Sequence, residues 1–361
     1  MHPRRGDPSR LVPFLLASGY AVLVGASRYA DNWEDCVLEA ALADTAEGIR
    51  VLRRAGYEHV VLLGNGSGGS HAGYYQAMAQ TPPPDRPTHT PGGTPYDLNA
   101  LDLPPAGGLL LTAPHLGDGR RLMNLIDPSV KDETKPLSSD PALDMYNPAN
   151  GFRQPPEPSH YSPAFLNEYR AAQRERVARL DGLARRQINE SRRLAEAVHA
   201  GWFRKLPRVE QIGLERRAAI GTHMAVARTD ADPVSCDPSL QPVPGPVGSP
   251  LGPRPDLQNY QRGHLAHRVT AEAWLSTWSG LSSRASLAEA IAHVTVPTFV
   301  LHNTEDHTAF PADVQEIHRQ CGATDKALLQ LGGDRRGEGQ SGSTRAVEAV
   351  LAWLNERYPT K

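Results

Sequence analysis

The sequence predicts an α/β fold, with a mostly parallel sheet and helices on both faces. At residues 59–63 an apolar, β-branched run leads through a glycine-rich turn into a helical segment. Strand, helix and strand alternate over the first third of the chain, which implies a parallel right-handed crossover. The same alternation returns after residue 294, beyond a long segment that lacks it. The simplest architecture is one sheet interrupted by a large insertion.

Hydrophobic spacing predicts the elements of the first part of this sheet. In chain order they are a helix at 11–18, a buried strand at 20–24, a helix at 33–55, a strand at 59–63, a helix at 71–79, a strand at 107–113 and a helix at 120–126. Gly56 follows the second of these helices, where a glycine commonly caps a helix C-terminus.

From residue 127 the alternation stops, and residues 127–293 are predicted to form a mainly helical lid. Ser162 and Pro163 give a strong helix start, a serine cap followed by proline, so a helix is expected to about residue 200. The later core elements are strands at 297–302 and 326–331 and helices at 311–321 and 343–358. The predicted division is therefore core at 1–126, lid insertion at 127–293 and core again at 294–361.

The composition of the chain limits the classes of molecule that it is expected to bind. The 361 residues carry 38 basic and 40 acidic side chains, a net charge of −2, which gives no global electrostatic case for nucleic acid or an anionic membrane. The arginine-rich helix at 162–200 is interpreted as a solvated face that pairs with local acids. Three cysteines without metal-like spacing favour a reducing compartment and argue against a disulfide framework or a metal site.

The first twenty residues superficially resemble a signal peptide, with arginines before an apolar run. That run is short and Pro13 interrupts it, so we interpret it as a core helix that leads into a strand. No run reaches the length of a membrane span. A cytoplasmic location is the resulting expectation.

The turn at residues 64–70 predicts a nucleophile elbow, a sharp strand-to-helix bend with a serine at its apex. Ser67 is the predicted nucleophile, because Asn65 two residues before it and Gly69 two residues after it are small enough for a strained turn. The backbone N–H of Gly68 would then point to where an oxyanion forms. Gly66 and Asn65 are the other residues predicted to contribute to oxyanion or substrate binding.

Other interpretations of this turn stay open. A glycine- and serine-rich turn is also found as a phosphate cradle or as a plain connector, although a P-loop is excluded because no Lys-Ser/Thr pair follows. Ser70 fits the same spacing in a second frame. Ser67 is preferred because it lies nearer the strand end.

An acyl-transfer serine needs a base that takes its proton and a carboxylate that orients the base. The predicted acid is Asp306, just past a late strand, with Glu305 as the alternative. His115 ends the strand at 107–113, at the edge where α/β sheets bind ligands.

Several stretches together resemble the α/β-hydrolase superfamily, in particular bacterial esterase/lipase-like hydrolases with a large central insertion. The resemblance covers nearly the whole chain. Its stretches are residues 60–65 with 67–69, 113–115, 125–130, 141–148, 161–166 and 300–306. It implies an α/β-hydrolase fold.

The chain departs from these relatives in three ways. Their elbow reads Gly-Asn-Ser-Gly-Gly, so Gly66 is interpreted as an insertion before Ser67. Their catalytic histidine position is occupied by Arg335, which cannot act as a base because arginine does not deprotonate. The chain also begins where relatives have already formed two or three strands, so it is expected to be N-terminally truncated, with the loop of the second oxyanion donor reduced.

The missing base leaves His115 as the predicted replacement, with His71, His223 and His307 as weaker alternatives. The resulting expectation is a serine hydrolase for carboxylic esters or related acyl compounds, with impaired activity and with a lid that selects the acyl group. No cofactor and no metal are expected, and the partner is a small acyl substrate. Whether the chain is a homodimer stays open. The alternative is a non-hydrolytic pseudoenzyme, or a ligand-binding or cyclase-like protein that uses the same pocket.

Overall fold

The computed structural model describes residues 9–135, 137–240, 243, 247–248, 252, 254–261, 265–333 and 340–360. No helix of these residues is both long and apolar enough to span a membrane.

The central sheet has four parallel strands in the order β1-β2-β5-β6. They are β1 (Val61–Asn65), β2 (Gly108–Thr112), β5 (Thr298–Asn303) and β6 (Lys326–Leu331). Asn65 is in register with Thr112, and Thr112 with Leu301, so the carboxyl ends of three strands meet at one edge. A small antiparallel pair, β3 (His223–Ala225) and β4 (Arg268–Thr270), lies within the insertion.

The helices are α1 (Val12–Ala17), α2 (Leu38–Arg54), α3 (Ser67–Gln80), α4 (Asp118–Leu125), α5 (Pro163–His199), α6 (Arg208–Ala219), α7 (Pro255–Gln258), α8 (Ala271–Ala273), α9 (Leu287–Ala290), α10 (Pro311–Gln320) and α11 (Gln340–Arg357). A π-helical turn at Trp274–Trp278 continues α8.

Helices cover both faces of the sheet, as the sequence predicts. In β2, Leu109 and Leu111 pack in the cluster that contains α2 and α3, whereas Leu110 packs with residues of α1 and α11. Alternate residues of a strand point to opposite faces, so this fully buried strand supplies both layers of the core. The mostly parallel α/β architecture is therefore confirmed.

The insertion has a hydrophobic core of its own. Trp274 and Trp278 are fully buried there, packed with residues from α4, α5 and the β3–β4 pair. Ser162 caps α5 by accepting a hydrogen bond from the N–H of Phe165, and Pro163 opens the helix, as predicted. The 37 residues of α5 make it the longest helix described.

The prediction of a buried strand at 20–24 is wrong. No strand is formed there, and Leu23 and Val24 are 43% and 45% exposed. Only Tyr20 and Val22 pack on the cluster that contains α11. An apolar run becomes a buried strand only where a neighbouring strand pairs with it, and among the described residues β1 pairs with β2 alone.

Candidate active site

The candidate site begins at the turn between β1 and α3. Gly66 holds the strained backbone of this turn, with φ 55° and ψ −118°, and its N–H donates to the carbonyl oxygen of Thr112 at 3.1 Å. The turn is tight, because a Cβ on Gly64 would lie 2.4 Å from the carbonyl oxygen of Gly68. Ser67 is the first residue of α3 and does not have a positive φ.

The expectation that Ser67 occupies the strained apex is therefore wrong, and so is the interpretation of Gly66 as an inserted residue. The glycines at 64, 66 and 68 follow the small-x-apex-x-small spacing of an elbow, with Gly66 itself at the apex. A glycine adopts this conformation without the steric cost that a side chain adds. The seryl hydroxyl lies one residue past the apex.

Ser67 nevertheless contacts a histidine and a carboxylate. Its Oγ donates to Oδ1 of Asp118 at 2.8 Å and lies 3.2 Å from Nε2 of His115. All three residues are buried, with exposures of 6% for Ser67, 3% for His115 and 4% for Asp118. The predicted pairing of Ser67 with His115 is thus present as a contact.

Two backbone features bring these partners to the turn. Ala113, directly after β2, has a positive φ of 42°, an uncommon conformation for a residue with a side chain, and His115 follows two residues later. Gly117 has a φ of 123°, and a Cβ there would lie 2.5 Å from the carbonyl oxygen of Ala285. This close approach fixes the start of α4, where Asp118 is the first helical residue.

The other predicted residues of the turn have structural contacts. Asn65 donates from Nδ2 to Oγ1 of Thr112 at 2.8 Å, which ties the end of β1 to β2. The N–H groups of Ser67 and Gly68 lie in the first turn of α3, where a helix offers no acceptor and carries partial positive charge. Ser70 donates from Oγ to the carbonyl oxygen of Ser67, inside the helix, so the second frame is wrong.

Asp306 is buried in its own loop. Its Oδ1 accepts hydrogen bonds from the N–H and Oγ1 of Thr308 at 2.7 and 2.6 Å, and from the N–H of Ala309 at 3.3 Å. Its assignment as the orienting acid stays a prediction, as does that of Glu305, whose N–H donates to Gly333. Arg335 lies outside the described residues.

The alternative histidines lie in other surroundings. Nε2 of His71 is 2.9 Å from Oγ1 of Thr45, between α3 and α2, and His223 is exposed on β3. His307 is half-buried in the loop after β5. His302, which was not among the candidates, is fully buried in β5, where burial lowers its pKa. Among the histidines, His115 has the described hydrogen-bond contact with Ser67.

Sequence reasoning missed Asp118. The predicted helix starts at residue 120, which leaves Asp118 in a connecting turn, whereas α4 begins at Asp118 itself. An acidic residue three positions after a strand-end histidine, in the first turn of a helix, is the signal that could have identified it. Within the described ranges, no group of three or more His, Cys, Asp or Glu side chains could hold a metal ion.

Comparison with protein-family models gives no match, and comparison with curated proteins gives none. Solved structures do resemble the chain. A monoacylglycerol lipase from Paleococcus ferrophilus is 14% identical, with a TM-score of 0.41 over 99% of this chain and 91% of that one. An esterase from Thermogutta terrifontis is 14% identical, with a TM-score of 0.33 over 90% and 74%. An N-acyl homoserine lactone degrading enzyme is 11% identical, with a TM-score of 0.38 over 98% and 90%.

The fold assignment rests on the chain's own sheet and turn. A four-stranded parallel sheet, a strained glycine-rich bend from strand to helix, and a helical insertion ahead of the last two strands give an α/β fold with the arrangement that the resemblance to α/β-hydrolases implies.

Proposed function

We propose that this chain is a serine hydrolase that acts on a carboxylic ester or a related acyl compound, with Ser67 as the nucleophile. The observation that carries the proposal is the buried contact of the Ser67 hydroxyl with both His115 and Asp118. A seryl hydroxyl becomes nucleophilic when a neighbouring group removes its proton, and both groups are within hydrogen-bond reach.

The start of α3 supplies the other requirement of acyl transfer. The N–H groups of Ser67 and Gly68 lie in its first turn, and the first N–H groups of a helix have no acceptor within the helix. Such N–H groups can donate to an oxyanion and stabilise it. The off-apex position of Ser67 lowers the expected activity, because misplacing a nucleophile by about 1 Å can cost about 100-fold in rate. The substrate is a small acyl compound.

Two assays test this proposal. We expect a fluorophosphonate probe to label the protein at the peptide that contains Ser67, and p-nitrophenyl acetate to be hydrolysed. Ser67→Ala should abolish both signals. Ser70→Ala removes the other hydroxyl of the turn and should keep both, so it is the matched control. A wild-type protein that is neither labelled nor active would contradict the proposal.

Gly66 at the apex favours a second candidate, a non-hydrolytic protein that binds a ligand in the same pocket. A glycine where the elbow presents its nucleophile leaves that position without a hydroxyl. The swap variant Gly66→Ser/Ser67→Gly moves the hydroxyl to the apex. If the wild type is unreactive and the swap gains labelling, the second candidate is supported; if the wild type labels at Ser67, it is wrong.

A further inference from the structure

Among the described residues, two neighbours could accept the single proton of the Ser67 hydroxyl. Oδ1 of Asp118 is at 2.8 Å and Nε2 of His115 at 3.2 Å. An ionised carboxylate only accepts hydrogen bonds, whereas an imidazole nitrogen donates or accepts according to its tautomer. One arrangement fits both of these contacts: Ser67 donates to Asp118, and Nε2–H of His115 donates to the Ser67 oxygen.

From this geometry we infer that Asp118, and not His115, takes the proton of Ser67. The inference rests on the proposed function for its catalytic consequence, but the proton arrangement can be measured without turnover. It gives Asp118 the role of base, which the sequence analysis assigned to His115.

The position of Asp118 favours its ionised form, which accepts hydrogen bonds and does not donate them. It is the first residue of α4, where the partial positive charge of the helix N-terminus stabilises a carboxylate. The close approach of Gly117 to the backbone of Ala285 holds this end of the helix in place. At 2.8 Å the contact between Ser67 and Asp118 has the ordinary length of an O–H···O hydrogen bond.

The chemical step follows from this arrangement. As the Ser67 oxygen bonds to the acyl carbon, its O–H bond breaks and the proton moves to Oδ1 of Asp118. The carboxylic acid then gives that proton to the leaving alcohol as the bond from acyl carbon to alkoxy oxygen breaks. Water attacks the acyl-serine in the same way, giving its proton to Asp118, and Ser67 recovers a proton as it leaves. His115 keeps its Nε2 hydrogen throughout and orients the Ser67 oxygen.

Nitrogen-15 NMR of histidine-labelled, full-length protein tests the proton arrangement directly. The His115 signals are assigned by their loss in His115→Gln. We expect a neutral imidazole with the hydrogen on Nε2, and a shift of its Nε2 signal in Ser67→Ala. A neutral ring with the hydrogen on Nδ1, so that Nε2 accepts from Ser67, would overturn the inference.

Labelling rates with the fluorophosphonate probe test the catalytic consequence. Asp118→Asn keeps the size of the side chain but cannot take a proton, so we expect labelling to slow by about 100-fold or more. His115→Gln keeps an N–H donor and should stay within about 10-fold of the wild type. The reverse order of the two variants would overturn the inference. If the wild type does not label at all, the proposed function fails while the tautomer measurement still decides where the proton lies.

Discussion

Gly66 carries the backbone strain of the turn between β1 and α3. Its φ of 55° and ψ of −118° lie where a side chain is rarely accommodated. We expect Gly66→Ala to lower the free energy of unfolding by about 1–3 kcal/mol, the usual cost of such a conformation for a residue with a Cβ. Urea denaturation followed by circular dichroism measures the change.

Gly213→Ala is the matched control for this substitution. Gly213 lies inside α6 with regular helical backbone, and a Cβ there meets nothing within 4 Å. Alanine is the better helix former, so this variant should gain about 0.5–1 kcal/mol. Equal and small effects of the two variants would show that Gly66 is not strained in solution.

The raised pKa of the Asp313 carboxyl predicts that the stability of the protein depends on pH. Burial, with a smaller contribution from Asp232, raises the pKa of this carboxyl in the folded protein from 3.8 to about 6. The folded state therefore binds more protons than the unfolded state between these values, and stability falls as the pH rises through them. Asp313→Asn should thus stabilise the protein by about 1–3 kcal/mol at pH 7.

Thermal unfolding at several pH values measures this difference. The advantage of Asp313→Asn should shrink as the pH falls below 6 and disappear below 3.8, where the carboxyl is protonated in both states. An advantage of the same size at pH 4 and pH 7 would mean that the substitution acts through packing and not through charge.

At the scale of elements, α5 joins the segments of the insertion through a buried arginine. The side chain of Arg176 is 1% exposed and donates to both carboxylate oxygens of Glu133, at 2.8 and 2.6 Å. It also donates to the carbonyl oxygens of Asp127 and Ala227. The interpretation of the arginines of this helix as a solvated face therefore does not hold for Arg176.

Replacing Arg176 should be far more damaging than replacing a neighbour. Arg176→Met removes the charged partner of the Glu133 carboxylate that makes both short hydrogen bonds, and it removes a donor from two carbonyl groups, so we expect a loss of about 3–5 kcal/mol. Arg174→Met changes an exposed position on the same helix and should stay within about 0.5 kcal/mol. Chemical denaturation of both variants measures the contrast, and similar losses would contradict it.

Elements with a strong local signal were predictable, and those set by distant contacts were not. The serine cap and proline of α5 are neighbours in the sequence, and so are the apolar residues of β2. Both α5 and β2 form where the sequence predicts them. The run at 20–24 carries the same kind of local signal, but whether it pairs depends on another strand.

In the candidate site, too, some contacts could be predicted from the sequence and others could not. Ser67 and His115 could be proposed as partners because both follow strands of one parallel sheet. The shift of the apex to Gly66 depends on a backbone conformation, and the contact of Asp118 depends on where α4 begins. Residue types alone specify neither.

For the whole molecule, one of the contacts between the insertion and the sheet core is a small polar junction. Ser276 lies in the π-helical turn of the insertion and donates from Oγ to Oε2 of Glu39, at 2.6 Å. The same Oγ accepts the N–H of Leu38 at 2.8 Å, at the start of α2. Glu39 is fully buried, and burial raises its pKa. The hydroxyl of one residue of the insertion therefore makes hydrogen bonds with a buried carboxyl and with the N-terminus of a helix of the sheet core.

Ser276→Ala should destabilise the whole protein and not the insertion alone. The substitution leaves the Leu38 N–H without this acceptor and Glu39 without this donor, and each buried group left unsatisfied costs about 1–3 kcal/mol. Ser191→Ala, the same chemical change on the outer part of α5, should stay within about 0.5 kcal/mol.

Thermal unfolding followed by far-ultraviolet circular dichroism and by tryptophan fluorescence measures the effect. Each signal should shift in a single step, because both report on both parts: Trp274 and Trp278 lie in the insertion, Trp353 lies in the sheet core, and the helices of both parts contribute to the dichroism. Transitions that split into two steps would show that the insertion unfolds independently of the sheet.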